Sequence, residues 1–467
     1  DSAGLRIPVD MALAFHSDAG VRDGDGIIGT LGIFFTRENK GKFQGGADRY
    51  RSRDLTDLVQ TQIVEDIRRT CEPAWSRRGM WNRAYYEARV PGVPTMLLEL
   101  LSHQNFADMR LGHDPRFKFL VSRAVYKGIL RYVSSQYDLP YVVQPLPVEA
   151  FAAEFAGAGE VALSWSPAMD PLEATAAPTG YVVYTRVDDG GFDNGRYVDK
   201  PRLTVRQEPG RMYSYRVTAV NEGGESFPSE TLAACRVPDE KGCVLIVSAP
   251  QSERNDSLAG FRMDLDGGVA DRQDIAFIGA QRVFDLAQAR CNVDSVALGA
   301  CACDWETDVI GGNTFDYPAL HGRSVAAAGY SFCSASARAV ERGEVSLEAY
   351  PAVDLILGKQ RTTPLGRGVC EAAFRTFPPE LQAALRRYLA GGGGLFASGS
   401  YVAADLWAEG TPEEGRAFAR EVLRIDSDGG HPSDRGRVRV MTSDASFSRG
   451  EYRFNTEYRR DRYVVER

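Results

Sequence analysis

No run of about 18 apolar residues occurs in this chain, so nothing in it reads as a membrane-spanning helix. Basic charge is in short supply as well. Lys and Arg number 55 against 63 Asp and Glu, a net charge of -8. That is the wrong sign for a nucleic-acid partner, which calls for a basic face. The first residues, DSAGLRIPVD, offer neither a basic n-region nor an apolar h-region, so no signal peptide is read there. They run directly into a strand-like stretch from Leu5 to Phe15, as though the sequence opens partway through a domain. The eight cysteines include no CxxC pair and no Cys/His finger spacing, which argues against a structural zinc knuckle. Cys301 and Cys303 form a CxC that is awkward for a mutual disulfide, and buried free thiols are the expectation. Repeats at solenoid or propeller periods are absent too.

What is present is an ordinary globular composition, 43% hydrophobic and 25% charged, over 467 residues. That length exceeds one core and points to about two to four domains. Periodicity divides it into three segments, 1–138, 141–238 and 240–467. In the first, apolar strands alternate with helical patterns, the mark of an α/β unit. Strands are expected over Leu5–His16, Gly29–Thr36 and Thr95–Leu101, with helices over Ser52–Thr70 and Arg116–Tyr137. The second segment switches to period-two alternation, in VALSW, GYVVYTR, RLTV and MYSYRVTAVNEGGESFPSE. The third opens on the strand CVLIVS and returns to strand–helix alternation. Further strands are expected there at Ser324–Tyr330, Val353–Leu357 and Leu395–Ser398, and helices at Ala280–Arg290, Ser334–Arg342, Pro379–Leu389 and Glu413–Leu423.

The central segment places Trp165 at a strand end, Tyr181 and Tyr184 on the next strand, and Tyr213 and Tyr215 ahead of Val217–Asn221. It resembles the fibronectin type III family, whose late YxYRVxAVNxxGES stretch it matches. Trp165 can fill the space between two sheets, and a corner tyrosine can hydrogen-bond back to the backbone. Such modules act as spacers or binding platforms in exported proteins.

Two stretches of the first segment carry chemistry. ALAFHSDA delivers His16 at a strand end, and PTMLLELLSHQN sets Glu99 among Met and Leu. An acid there is expensive to bury unless it is paired or working. The amphipathic helix between them suits a crossover joining parallel strands. Together these stretches, over about residues 5–135, resemble the zinc-dependent N-acetylmuramoyl-L-alanine amidase family, and more narrowly the multi-domain exported forms of Bacteroides-type bacteria. The resemblance implies that His16 is a zinc ligand, Glu99 the general base and Asn105 a substrate-binding residue. It also implies peptidoglycan as the partner and an exported, periplasmic or envelope location. The family's other zinc ligands, a histidine and a glutamate, would fall upstream of residue 1, and Leu100-Leu101 replaces its usual GF.

The blander reading makes His16 a hydrogen-bonded strand-end histidine and Glu99 a paired buried acid. Arg78, with Arg77, Trp81 and Arg83, either grips the carboxylates and sugars of the substrate or forms a solvated rim. His103, four residues after Glu99, reads as a loop residue rather than a metal partner, and His113 as a loop or cap residue. The third segment faintly resembles flavodoxin-like and class I glutamine amidotransferase-like folds, without the cysteine nucleophile at Ala397–Ser400. A serine at 398 or 400 served by His321 or His431 lacks GxSxG spacing. The expectation is therefore a multi-domain chain with an amidase-like α/β domain, an all-β sandwich and a doubly wound α/β domain. The activity that the resemblance implies is that of a zinc-dependent peptidoglycan amidase. The rival is a non-catalytic envelope protein that binds glycan or protein on an amidase-like fold.

Overall fold

The computed structural model describes residues 8–24, 26–112, 115–157, 159–249, 292–293, 300–301, 317–358, 362–365, 370–373, 375–399, 402, 404–407, 411–426, 437–440 and 450–453. The expected helix Ala280–Arg290 lies outside them, as do His113, Ser400 and His431. The chain divides into two compact units. Unit 1 is Asp1–Val143 with Pro171–Ala176 and Pro364–Ala372, and unit 2 is Gln144–Asp170, Ala177–Thr363 and Ala373–Arg467.

Unit 1 is built on a mixed sheet of β1 (Ala12–Asp18), β2 (Leu31–Phe34), β3 (Trp81–Asn82) and β4 (Thr95–Ser102), in the order β1-β4-β2-β3. β4 runs parallel to β1 and antiparallel to β2. The connection from β1 to β4 carries the helix α1 (Tyr50–Thr70). Asp48, one residue ahead of the N-cap Arg49, accepts the Tyr50 amide at 2.9 Å. Leu55, Val59, Ile63 and Ile67 recur every fourth residue on it and are fully buried. They pack with Met96, Leu98 and Leu100 of β4, and with Phe117, Val121 and Ala124 of α4 (Pro115–Tyr137). The opposite face of β4 carries Leu97, in a small cluster with Leu31 and Ile33. By period-two alternation Glu99 lies on that second face.

Asp108, fully buried in α3 (Phe106–Gly112), ties the sheet end together. Its carboxylate accepts the amides of Ile28 (2.9 Å), Gly29 (3.1 Å) and Ser102 (2.9 Å). Gly29 has φ +79 and lies where any Cβ would meet the Ser76 carbonyl at 2.2 Å, so the turn into β2 requires glycine.

Unit 2 begins as a two-sheet sandwich. One sheet comprises β5 (Glu149–Gly157), β6 (Glu160–Ser166) and β9 (Arg202–Arg206). The other comprises β7 (Gly180–Val187), β8 (Arg196–Val198), β10 (Met212–Asn221) and β12 (Leu232–Cys235), with β11 (Gly224–Glu225) appended to β10. Trp165 is buried between them, edge-on to Phe151 and Tyr181 at 6.3 and 5.4 Å. The Tyr213 hydroxyl accepts the Glu208 backbone amide at 3.2 Å, which is a corner of the kind the sequence suggests.

Four parallel strands follow: β13 (Cys243–Ser248), β16 (Ser331–Ser336), β17 (Ala352–Gly358) and β20 (Gly394–Gly399), in spatial order β16-β13-β17-β20. Separate two-stranded pairs are β14 (Asn292–Val293) with β15 (Ala300–Cys301), and β18 (Thr363–Leu365) with β19 (Cys370–Ala373). The helices Ala337–Glu341 and Pro379–Ala390 contribute to a cluster with Leu245, Val247 and Leu355. The helix Tyr317–Ala327 buries Ala319 beside Ile246 and Phe332, on the other face of β13. The sandwich and these strands share one sheet, because the outer edge of β16 pairs with both β12 and β5. Ser334 seals the join, its hydroxyl accepting the Ala233 amide at 2.8 Å and donating to the Ala233 carbonyl at 2.6 Å.

One expected strand is a helix instead. Ser324–Tyr330 spans the end of helix Tyr317–Ala327 and its stop at Gly329, which adopts φ +86. Alanine's high helix propensity overrides the apolar run there, and the strand follows at Ser331–Ser336. Among the described cysteines, Cys71, Cys235, Cys243 and Cys333 are free thiols.

Among the described residues no helix is long and apolar enough to cross a membrane.

Candidate functional site

His16 and Glu99 are direct register partners on the parallel pair β1 and β4. Residues registered across a parallel pair project from the same face, so both side chains leave the sheet on the face opposite α1 and α4. The register slips between His16 and Asp18, a bulge that re-aims the end of β1. Beyond it Asp18 takes the Arg78 guanidinium at 2.5 Å, and the Asp18 carbonyl accepts the His103 amide at 3.0 Å. Gln60 in α1 fixes the arginine's own backbone, donating to the Arg78 carbonyl at 2.9 Å.

Glu99 Oε2 is buried and finds no hydrogen-bond partner among the described residues. Burial holds its carboxyl above the ordinary glutamate range, and the Asp18 carboxylate pushes the same way. His16, Arg78 and His103 act in the opposite sense and are outweighed. The result is a carboxyl biased toward its protonated form beside an imidazole and a guanidinium, a setting that suits taking and returning a proton.

His16 is exposed, and its Nε2 lies 3.6 Å from Glu87 Oε1 on the short helix α2 (Tyr86–Arg89). His103 shares a hydrogen bond with Ser17, 3.1 Å from its Nδ1. Asn105 is 3% exposed, and its amide donates to the Gly26 carbonyl at 2.8 Å. It also approaches Asp108 at 3.3 Å. The structure therefore gathers His16, Glu99 and Arg78 with Asp18, Glu87 and His103, and sets Asn105 in the turn that anchors α3. Sequence reasoning passed over Glu87 and the Asp18–Arg78 pair. Glu87 sits in YYEARV, where no periodic pattern marks it, and only the fold of 81–89 brings it to His16.

A catalytic zinc ion takes three protein ligands. Among the described residues no three of His, Cys, Asp and Glu converge to hold a metal ion. His16 and Glu87 are two donors, so the described set does not fit a zinc site.

In unit 2, His321 Nδ1 lies 2.8 Å from Asp354 Oδ2. Ser398 is in register with Ile356 rather than with Asp354, and no hydrogen bond joins it to His321 among the described residues. On the sandwich, a cavity of about 470 Å³ is lined in part by Tyr184, Phe192, Arg216 and Glu225. The Arg216 guanidinium lies 4.1 Å from the Phe192 ring centroid and 5.2 Å from that of Tyr184.

No protein-family model matches the chain, and no curated protein matches it. Solved structures do. The kinase region of twitchin from C. elegans is 25% identical over 21% of this chain, with a TM-score of 0.19. The match spans 17% of that structure's own length. Titin domains A168–A170 are 26% identical over 19% of this chain and 30% of theirs, with a TM-score of 0.17. The FN1–FN3 domains of chicken CNTN1 are 14% identical over 21% of this chain and 34% of theirs, with a TM-score of 0.19.

Proposed function

We propose that unit 1 acts on peptidoglycan as an amidase, cleaving the bond between N-acetylmuramic acid and L-alanine, with Glu99 as the proton-transfer group. The observation that carries this reading is the His16–Glu99 register pair, with Glu99 Oε2 buried and without a partner among the described residues. In the reaction, the oxygen of a water attacks the lactyl carbonyl while its proton passes to Glu99. The carbon–nitrogen bond then breaks, and Glu99 returns the proton to the departing amine of alanine. Arg78, held by Asp18, binds a carboxylate of the stem peptide. The four parallel strands of unit 2 serve as a doubly wound accessory domain of flavodoxin-like strand order, and the protein works in the cell envelope.

The two-donor set at His16 favours a second reading, a non-catalytic protein that holds envelope glycan or protein on the same surface. Incubation with purified peptidoglycan separates the two. Release of stem peptides with free alanine amino termini supports the amidase, while retention on the polymer without release supports the binding protein.

A further inference from the structure

Three large aromatic side chains within six residues face solvent, on the segment that also carries Glu87. Trp81 is 41% exposed, Tyr85 45% and Tyr86 69%. Their segment is fixed to the sheet. The Arg83 amide donates to the Phe34 carbonyl at 2.9 Å, and Asn82 Nδ2 donates to the Thr36 hydroxyl at 2.8 Å. Arg49 reaches the Arg89 carbonyl at 3.1 Å, and Ala88 is 1% exposed. A backbone held this firmly keeps its rings in water at a cost, since each aromatic can bury ~150–250 Å². The segment also adjoins the centre already described. Glu87, next to Tyr86, is the residue that meets His16, and the Arg78 guanidinium lies 5.8 Å from the Trp81 ring centroid.

We propose that Trp81, Tyr85 and Tyr86 form a platform for the pyranose rings of a glycan strand, which they lay across the His16–Glu99 centre. The inference rests on the peptidoglycan reading and names the part of the polymer that this surface grips. The chemistry favours sugar over lipid or a protein core. Charges at Arg83, Glu87 and Arg89 interleave with the rings, so the surface is not the contiguous apolar patch that those partners need. A pyranose has an apolar C–H face edged by hydroxyls, which matches rings bordered by guanidinium and carboxylate groups.

The test is retention of the full chain on insoluble glycan strands stripped of their stem peptides. Wild type is retained. Trp81→Ala/Tyr86→Ala loses at least about tenfold in affinity, a change of ~1.4 kcal/mol. Its melting temperature falls only slightly, because Tyr86 is mostly exposed and Trp81 is partly so. Tyr86→Phe keeps retention, since the ring does the stacking. Glu99→Gln also keeps retention while losing any peptide release, so failure of the amidase chemistry is distinguishable from failure of the platform. Unchanged retention in the double variant overturns the proposal, as does wild type that binds whole peptidoglycan but ignores stripped strands. Loss of self-association in the double variant with retention intact would assign the rings to a protein contact and also overturn it.

Discussion

Glu99 lies in a strand whose other seven residues are buried, and its own buried Oε2 finds no partner among the described residues. Burial raises its pKa, which means that the fold favours the protonated acid. A raised pKa contributes stability that is fully present below the unfolded value of ~4.3 and is lost as pH rises through the folded value. Glutamine mimics the protonated form at every pH. Glu99→Gln should therefore melt with wild type in acid and above it at neutral pH, the gap opening as pH climbs through the folded pKa. Thermal melts from pH 4 to pH 8 check this, and a constant gap would mean that the carboxyl titrates normally. His16 and Glu99 were legible in sequence because strand pattern and spacing mark them. Asn105 was expected as a substrate-binding residue from the resemblance, and its 3% exposure could not be read beforehand, because that depends on Asp108 drawing four donors to one carboxylate.

At the scale of elements, α1 and α4 hold the sheet that presents the site, and a buried ion pair crosses between them. Lys127 Nζ lies 2.6 Å from Asp66 Oδ2, both side chains 1% exposed. Gln62 donates to Asp66 at 3.0 Å and accepts from Arg131 at 2.8 Å. Lys127→Ala leaves the aspartate charge uncompensated and should cost ~3–5 kcal/mol in denaturant unfolding, whereas an apolar pair at both positions should recover most of that. Next to it, Gly128 lets the helices touch, because a Cβ there would meet the Val59 Cα at 2.6 Å. Gly128→Ala should cost ~1–3 kcal/mol by overpacking, read in the same titration. Helix positions were readable from the 3.6-residue period, so α1 and α4 fall within two residues of expectation. The charged pair was not, since Lys127 and Asp66 look like surface residues until the two helices are placed together.

At the scale of the molecule, the sandwich is less a detached spacer than sequence periodicity suggests. Ser334 in β16 serves both hydrogen-bonding groups of Ala233 in β12, and β16 also pairs with β5. Period-two patterning shows where strands lie but not which edges meet, so this continuity could not be read beforehand. Ser334→Ala should cost ~1–3 kcal/mol by leaving buried backbone groups unsatisfied. It should also speed hydrogen exchange at Ala233 more than at Val217, and equal effects would mean that the join bears no stability.

The central claim concerns Glu99 as a proton carrier. Its most direct test is stem-peptide release from purified peptidoglycan by wild type, Glu99→Gln and Asn105→Ala, with melting recorded on the same samples. The account predicts release by wild type and a loss of ~10²–10⁴-fold in the Gln variant with its fold intact. Asn105→Ala should lose stability first and activity only as it unfolds. Release by Glu99→Gln at the wild-type rate would contradict the account and leave Glu99 a structural acid.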